Sequence, residues 1–172
     1  MRKEKKKLLL INLVLIAAFI ALDQITKYFA VVKLKDKPSF KLIEGVFELH
    51  YLENRGAAFG MLQGQKLFFV CITILILAAI VYVFIKLPCE KKYNKMNIAL
   101  VLIASGAIGN FIDRIAHNYV IDFLYFSLIN FPIFNVADIY VTLSAIYLAI
   151  LLLFVYKDSD LEFLNSSVRL NK

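Results

Sequence analysis

The chain has 172 residues, 61% of them hydrophobic and only 19% charged, with a mean hydropathy of +0.74, a balance that excludes an ordinary soluble globular domain. Its formal net charge of +7 resides mainly in two clusters beside apolar runs: Arg2, Lys3, Lys5, Lys6 and Lys7, then Lys86, Lys91, Lys92 and Lys95. Membrane topology, not nucleic-acid binding, is the economical account of that charge, and both clusters are assigned to the cytoplasm.

Leu8 to Val32 is apolar except around Asn12, Asp23, Gln24 and Lys27, and is long enough to cross a hydrocarbon core of about 30 Å. A lysine-rich start followed by an apolar run also fits a cleavable signal peptide. The run's continuation past Asp23, without a small-residue cleavage site, favours an anchor. Pro38 to Gln65 mixes charged residues with Val46, Phe47, Leu49, Tyr51 and Leu52; its alternation and β-branched and aromatic content predict short strands lying on the membrane. Three more spans follow, Leu67 to Leu87, Asn97 to Ile115 and Ile139 to Tyr156. The expectation is an all-α membrane protein forming one integral domain over 1–172, with four transmembrane helices and a small extracytoplasmic β-containing cradle (38–65) between helices 1 and 2. Four spans return both termini to the cytoplasm and put the polar ends of spans one, three and four outside.

Ionisable side chains are costly inside a bilayer, by about 2.5 to 3.5 kcal/mol at a helix centre on insertion scales, and so mark partners or watery cavities. Here Asp23, Lys27, Arg55, Asp113, Arg114, Asp122 and Asp138 are all assigned to the outer interface, where one shared site explains them. Asp23 and Lys27 are four residues apart, on one helical face, and are read as a structural ion pair. The small residues of GAIGN at 106–110 admit close approach of another helix or a substrate backbone. Asn110 and Asp113 share a face, and the planar fork of Arg114 suits oxygen acceptors. For Asp122 and Asp138 spacing leaves two readings open. Asp138 is a cap for the fourth span and Asp122 a solvated loop residue, or the two meet across neighbouring membrane helices and share one proton. A transporter with a proton relay is the rival class, although its ionisable groups belong near the midplane.

Five blocks in order, LDQITKYFA at 22–30, ENRGAAFG at 53–60, GAIGNFIDR at 106–114, VIDF at 120–123 and FNVADIY at 134–140, resemble lipoprotein signal peptidase (signal peptidase II) over nearly the whole four-span chain. The resemblance implies an aspartic endopeptidase that removes the signal peptide from diacylglyceryl-modified prolipoproteins, cutting before the lipidated cysteine. It implies Asp122 and Asp138 as the catalytic dyad, and Asn54, Arg55, Asn110, Asp113, Arg114 and Asn135 as substrate-binding or supporting residues. Asp113 is the rival to Asp122, which ranks first on the family pattern and not on spacing. Gly56 and Gly60 are expected to allow close backbone approach in the cradle, and Phe59 to anchor it. No cofactor and no metal are expected, since His50 and His117 stand alone without a ligand motif; Cys71 and Cys89 are read as free thiols. The implied partners are the prolipoprotein and membrane lipids, with no nucleic acid, and the implied assembly is a monomer. The implied location is a bacterial cytoplasmic membrane, with the site at the outer interface.

Overall fold

The computed structural model describes residues 3–56 and 65–164. Phe59, Gly60 and the rest of the second block beyond Gly56 lie outside the described residues. Four helices are long and apolar enough to cross a membrane. They are α1 (Lys3–Leu34), α2 (Lys66–Lys86), α3 (Asn94–His117) and α4 (Val136–Ile150), the last prolonged by a π-helical turn, Leu151–Val155. Each follows from an apolar run too long for a soluble helix and bounded by residues that stop it. Leu87-Pro88 ends α2, and Asn118, in the left-handed region at φ 66°, ends α3 with its N–H on the Arg114 carbonyl.

Three helices and β3 (Val120–Tyr125) pack around α3. Its spans neighbour α1, α2 and α4, and it buries Met96, Leu100, Val101 and Ala104 against Ile80, Phe84 and Leu151. Close packing at the other end of α3 depends on glycine. A Cβ on Gly106 would run into the Ala137 carbonyl and the Val141 side chain, and one on Gly109 would come within 2.5 Å of Asp23 Oδ2. Small residues thus let α3 touch α4 and α1 directly.

Asn12 of α1 and Asn97 of α3 are buried and exchange two amide hydrogen bonds, of 2.7 and 2.8 Å. Each amide is the other's partner. Asn12→Leu or Asn97→Leu alone strands a polar group in an apolar contact and is expected to destabilise the protein by about 1 to 2 kcal/mol, whereas the double variant returns close to the parent. A double-mutant cycle read by unfolding in mixed micelles checks this.

At the opposite end from the lysine clusters is an antiparallel sheet in the order β1-β2-β3, made of β1 (Phe40–Ile43), β2 (Phe47–Asn54) and β3 (Val120–Tyr125). The first two strands fall in the segment expected to carry them. The third does not: it comes from the connection between α3 and α4, so the cradle is not confined to the stretch between helices 1 and 2. Its sequence VIDFLY alternates, with Ile121 and Phe123 packed on Ala30 and Leu34 of α1 while Val120, Asp122 and Leu124 face a cleft. Charge at one of these inward positions hides the period-two pattern.

Candidate active site

The site forms where β3, β2, α3 and the start of α4 converge. Asp122 is 1% exposed and projects from the strand, not from a helix, which corrects the expectation that two helices deliver the acids and also removes the solvated-loop reading. β2 supplies its first partner. Asn54 pairs with Val120 across the ladder, so Asp122 is its diagonal neighbour on the same face, and Asn54 Nδ2 donates to Asp122 Oδ2 at 2.8 Å. Asn54 is itself oriented by the Gly56 N–H, which donates to its Oδ1.

Asp138 stands at the third position of α4. Asn135 is the N-cap and the two form a capping box: Asp138 N–H donates to Asn135 Oδ1 at 2.9 Å and Asn135 N–H to Asp138 Oδ2 at 3.1 Å. The capping role anticipated for Asp138 is therefore real, and it fixes the carboxylate rather than removing it from the cleft, which both Asp122 and Asp138 line. The Asn135 side-chain amide joins the two acids. Its Nδ2 donates to Asp122 Oδ1 at 2.7 Å and to Asn110 Oδ1 at 3.1 Å, and Asn110 Nδ2 donates to Asp138 Oδ1 at 2.8 Å.

Burial pushes the Asp122 carboxyl up to about 7, with the charge of Asp138 adding to the rise; the amides of Asn54 and Asn135 and the ammonium of Lys27 oppose it. A carboxyl so placed is half protonated near neutrality, beside a second one. Such a pair supplies a base and an acid at once.

A separate buried cluster supports this constellation. Lys27 Nζ donates to Asp23 Oδ2, Asp113 Oδ2 and Asn110 Oδ1, each at 2.9 Å, which uses all three ammonium protons. Asp23 Oδ1 accepts from the Ala137 N–H at 3.0 Å, satisfying one of the free donors at the start of α4. Asp113 Oδ2 also accepts from the Ile121 N–H at 3.1 Å. The cluster thus ties α1, α3, α4 and β3 together immediately behind Asp122 and Asp138. Asp113, the rival for the dyad, has a buried ammonium at hydrogen-bond distance, whereas Asp122 has amide partners. Sequence reasoning gave no role to Gln24, whose Nε2 reaches Asp23 Oδ2 and Asp113 Oδ1, both at 3.1 Å; its position beside Asp23 in the first block was the available signal.

The cleft has a volume of about 720 Å³. Asn54, Asn110, Arg114, Asp122, Asp138 and Thr142 make its polar part, and Phe47, Leu124, Phe126, Phe131, Phe134 and Leu143 are among its apolar walls. Arg114 rests 4.6 Å over the Phe69 ring, with one long hydrogen bond to the Asn110 carbonyl. Asp113 and Asn135 do not line the cleft, but each is bonded into the network behind the two acids; Arg55 is not. It is 62% exposed, pairs with Glu53 at 3.3 Å, lies over Tyr119 and is not among the cleft's lining residues. Cys71 and Cys89 are free and exposed, and the described residues contain no group of three or more His, Cys, Asp or Glu arranged to hold a metal ion.

The family model for signal peptidase (SPase) II matches residues 15–154, most of the chain and all the residues of the site. The chain belongs to the signal peptidase II family. Curated relatives called lipoprotein signal peptidase include one from Caldanaerobacter subterraneus subsp. tengcongensis, 46% identical over 143 residues that cover 83% of this chain and 95% of the relative. Another, from Streptococcus pyogenes, is 41% identical over 156 residues covering 91% and 97%. A solved bacterial membrane enzyme superposes with a TM-score of 0.73 at 34% identity, covering 94% of both chains; a second gives 0.71 at 37% identity, covering 84% of this chain and 94% of the other. As a signal peptidase II the chain is a peptidase, and its four apolar helices, with its likeness to solved bacterial membrane enzymes, support a multi-pass bacterial membrane protein.

Proposed function

We propose that the chain removes signal peptides from prolipoproteins whose cysteine already carries diacylglyceryl, cutting the bond before that residue with Asp122 and Asp138 as the catalytic pair. The observation that carries this reading is the Asn135 amide held between two acids that face one amphiphilic cleft. The ionised member takes a proton from water as the oxygen attacks the scissile carbonyl carbon, and the protonated member gives its proton to the carbonyl oxygen. Collapse of the resulting tetrahedral intermediate breaks the C–N bond, with a proton passing to the leaving nitrogen. Asn54, Asn110 and Asn135 hold the two carboxylates in place, and Arg114 is positioned to contact the substrate backbone. The apolar walls accept the signal helix and acyl chains.

The topology that fits this chemistry puts the sheet end and the site at the outer interface and both termini in the cytoplasm, the orientation that the positive-inside rule favours for the two lysine clusters. In this reading the chain acts as a monomer.

Purified protein in detergent is expected to cleave a diacylglyceryl-modified prolipoprotein, to leave the unmodified precursor intact, and to be insensitive to EDTA. Equal cutting of both precursors would refute the lipid requirement, and loss of cleavage with EDTA the carboxylate-only chemistry. The pH profile is a further check. The active form holds one proton between the two acids, so kcat/KM is expected to fall as pH rises through about 7, where Asp122 ionises, and to fall again in acid as the last negative charge is lost. A rate that keeps rising to pH 9 would require a different base.

A further inference from the structure

Next to the cleft, and sharing Asn54, Phe69 and Arg114 with it, is a second concavity of about 310 Å³. Its charged lining residues are Arg55, Lys66 and Arg114, brought in from the end of β2, the first turn of α2 and the last turn of α3. No carboxylate lines it among the described residues, and the stretch 57–64, AAFGMLQG, contains no acidic residue. Lys66 Nζ donates to the neutral amide oxygen of Asn118 at 2.7 Å and has no carboxylate partner among the described residues. Arg114 likewise has no carboxylate within ion-pair distance there; its face is stacked on Phe69, which leaves most of its fork of donors for a ligand. Arg55 shares Glu53 with Lys35, so its charge is partly countered. Three cations around one small hollow present N–H donors that suit an oxyanion.

We propose that this pocket binds a phosphate group, supplied by an anionic phospholipid of the leaflet on the sheet side or by free phosphate. Its depth favours the lipid: Lys66 starts one apolar helix and Arg114 lies one turn from the end of another, the level at which apolar core gives way to headgroups. Because Arg114 and Asn54 also line the cleft, a bound phosphate would set the Arg114 guanidinium on the edge of the proposed active site.

The test reads binding rather than cleavage, so its outcome is independent of the peptidase reading. Detergent-purified protein is titrated with phosphatidylglycerol or phosphatidylcholine and bound lipid is counted by native mass spectrometry. Inorganic phosphate is followed in parallel through its phosphorus NMR linewidth. Phosphatidylglycerol is expected to bind more tightly than phosphatidylcholine, and Lys66→Gln to weaken it about fivefold, with Lys66→Arg close to the parent. Lys41→Gln, at an exposed lysine of β1, should leave it unchanged. Broadening of inorganic phosphate that Lys66→Gln removes identifies the free anion as a sufficient ligand; lipid retention without such broadening identifies the phosphodiester headgroup. The proposal is overturned if Lys66→Gln changes neither ligand, or if Lys41→Gln weakens the lipid as much as Lys66→Gln does, which would mean general surface charge.

Discussion

Asp122→Asn and Asp138→Asn are each expected to lower kcat for prolipoprotein cleavage by about a thousandfold or more, because each removes half of the proposed acid and base pair, whose members would work as a unit. The surroundings make the experiment discriminating. Asp122 accepts from two amides, Asn54 and Asn135, and Asn54 cannot turn its oxygen toward a new amide without releasing the Gly56 N–H. Asparagine therefore sets two NH2 groups against each other, at a stability cost of about 1 to 3 kcal/mol. Asp138→Asn meets the same difficulty, since the Asn110 amide and the Asn135 N–H both donate to it. Unfolding midpoints should thus fall modestly while cleavage is lost from folded protein. A variant that remains folded and cuts at close to the parental rate would remove that residue from the chemistry, and with Asp122 it would return attention to Asp113.

The second large effect is expected at Lys27. Lys27→Met leaves Asp23 and Asp113, which are 0% and 1% exposed, without the ammonium between them, and breaking a buried pair in this way costs about 3 to 5 kcal/mol. Catalysis should suffer beyond the loss of folded protein. Asn110 Oδ1 accepts from Lys27 and Asn135 while its Nδ2 holds Asp138; without the lysine the amide loses one of the two donors that fix its orientation. Cleavage per folded molecule is accordingly expected to drop at least about tenfold, which corresponds to roughly 1.4 kcal/mol of positioning. Thermal unfolding in detergent and single-turnover cleavage, measured on the same preparation, separate the two losses. A Lys27→Met protein as stable as the parent would show that the cluster contributes no net stability.

The elements whose signal is hydropathy were legible from sequence. All four spans have long apolar runs, and the observed helices differ from the expected ones by a few residues at their ends, mostly because polar first and last turns such as Lys3 to Lys7 and Asn94 to Met96 continue the helix beyond the apolar window. The Asp23–Lys27 pair was legible too, from a four-residue spacing that any helix converts to contact. What spacing did not reveal was β3. Its pattern is short, and its central inward position is an acid, so hydropathy reads a loop where tertiary packing makes a buried strand. Nor did spacing distinguish Asp113 from Asp122. That difference depends on which acid lies against a lysine 86 residues earlier in sequence, a long-range fact carried by the close approach of α1 and α3 at Gly109.

The mixed character of the cleft has a practical corollary for inhibition. Several of its apolar walls, Phe126, Phe131 and Leu143, are themselves 41%, 45% and 62% exposed, so the hollow opens onto an exposed apolar surface, which the proposed topology sets against lipid. A competitor that must fill both ends of such a hollow will carry acyl chains, each buried CH2 contributing about 0.8 kcal/mol to partitioning. Its potency should then follow its mole fraction in the micelle or vesicle rather than its aqueous concentration. Adding empty micelles at constant inhibitor would relieve inhibition by surface dilution alone.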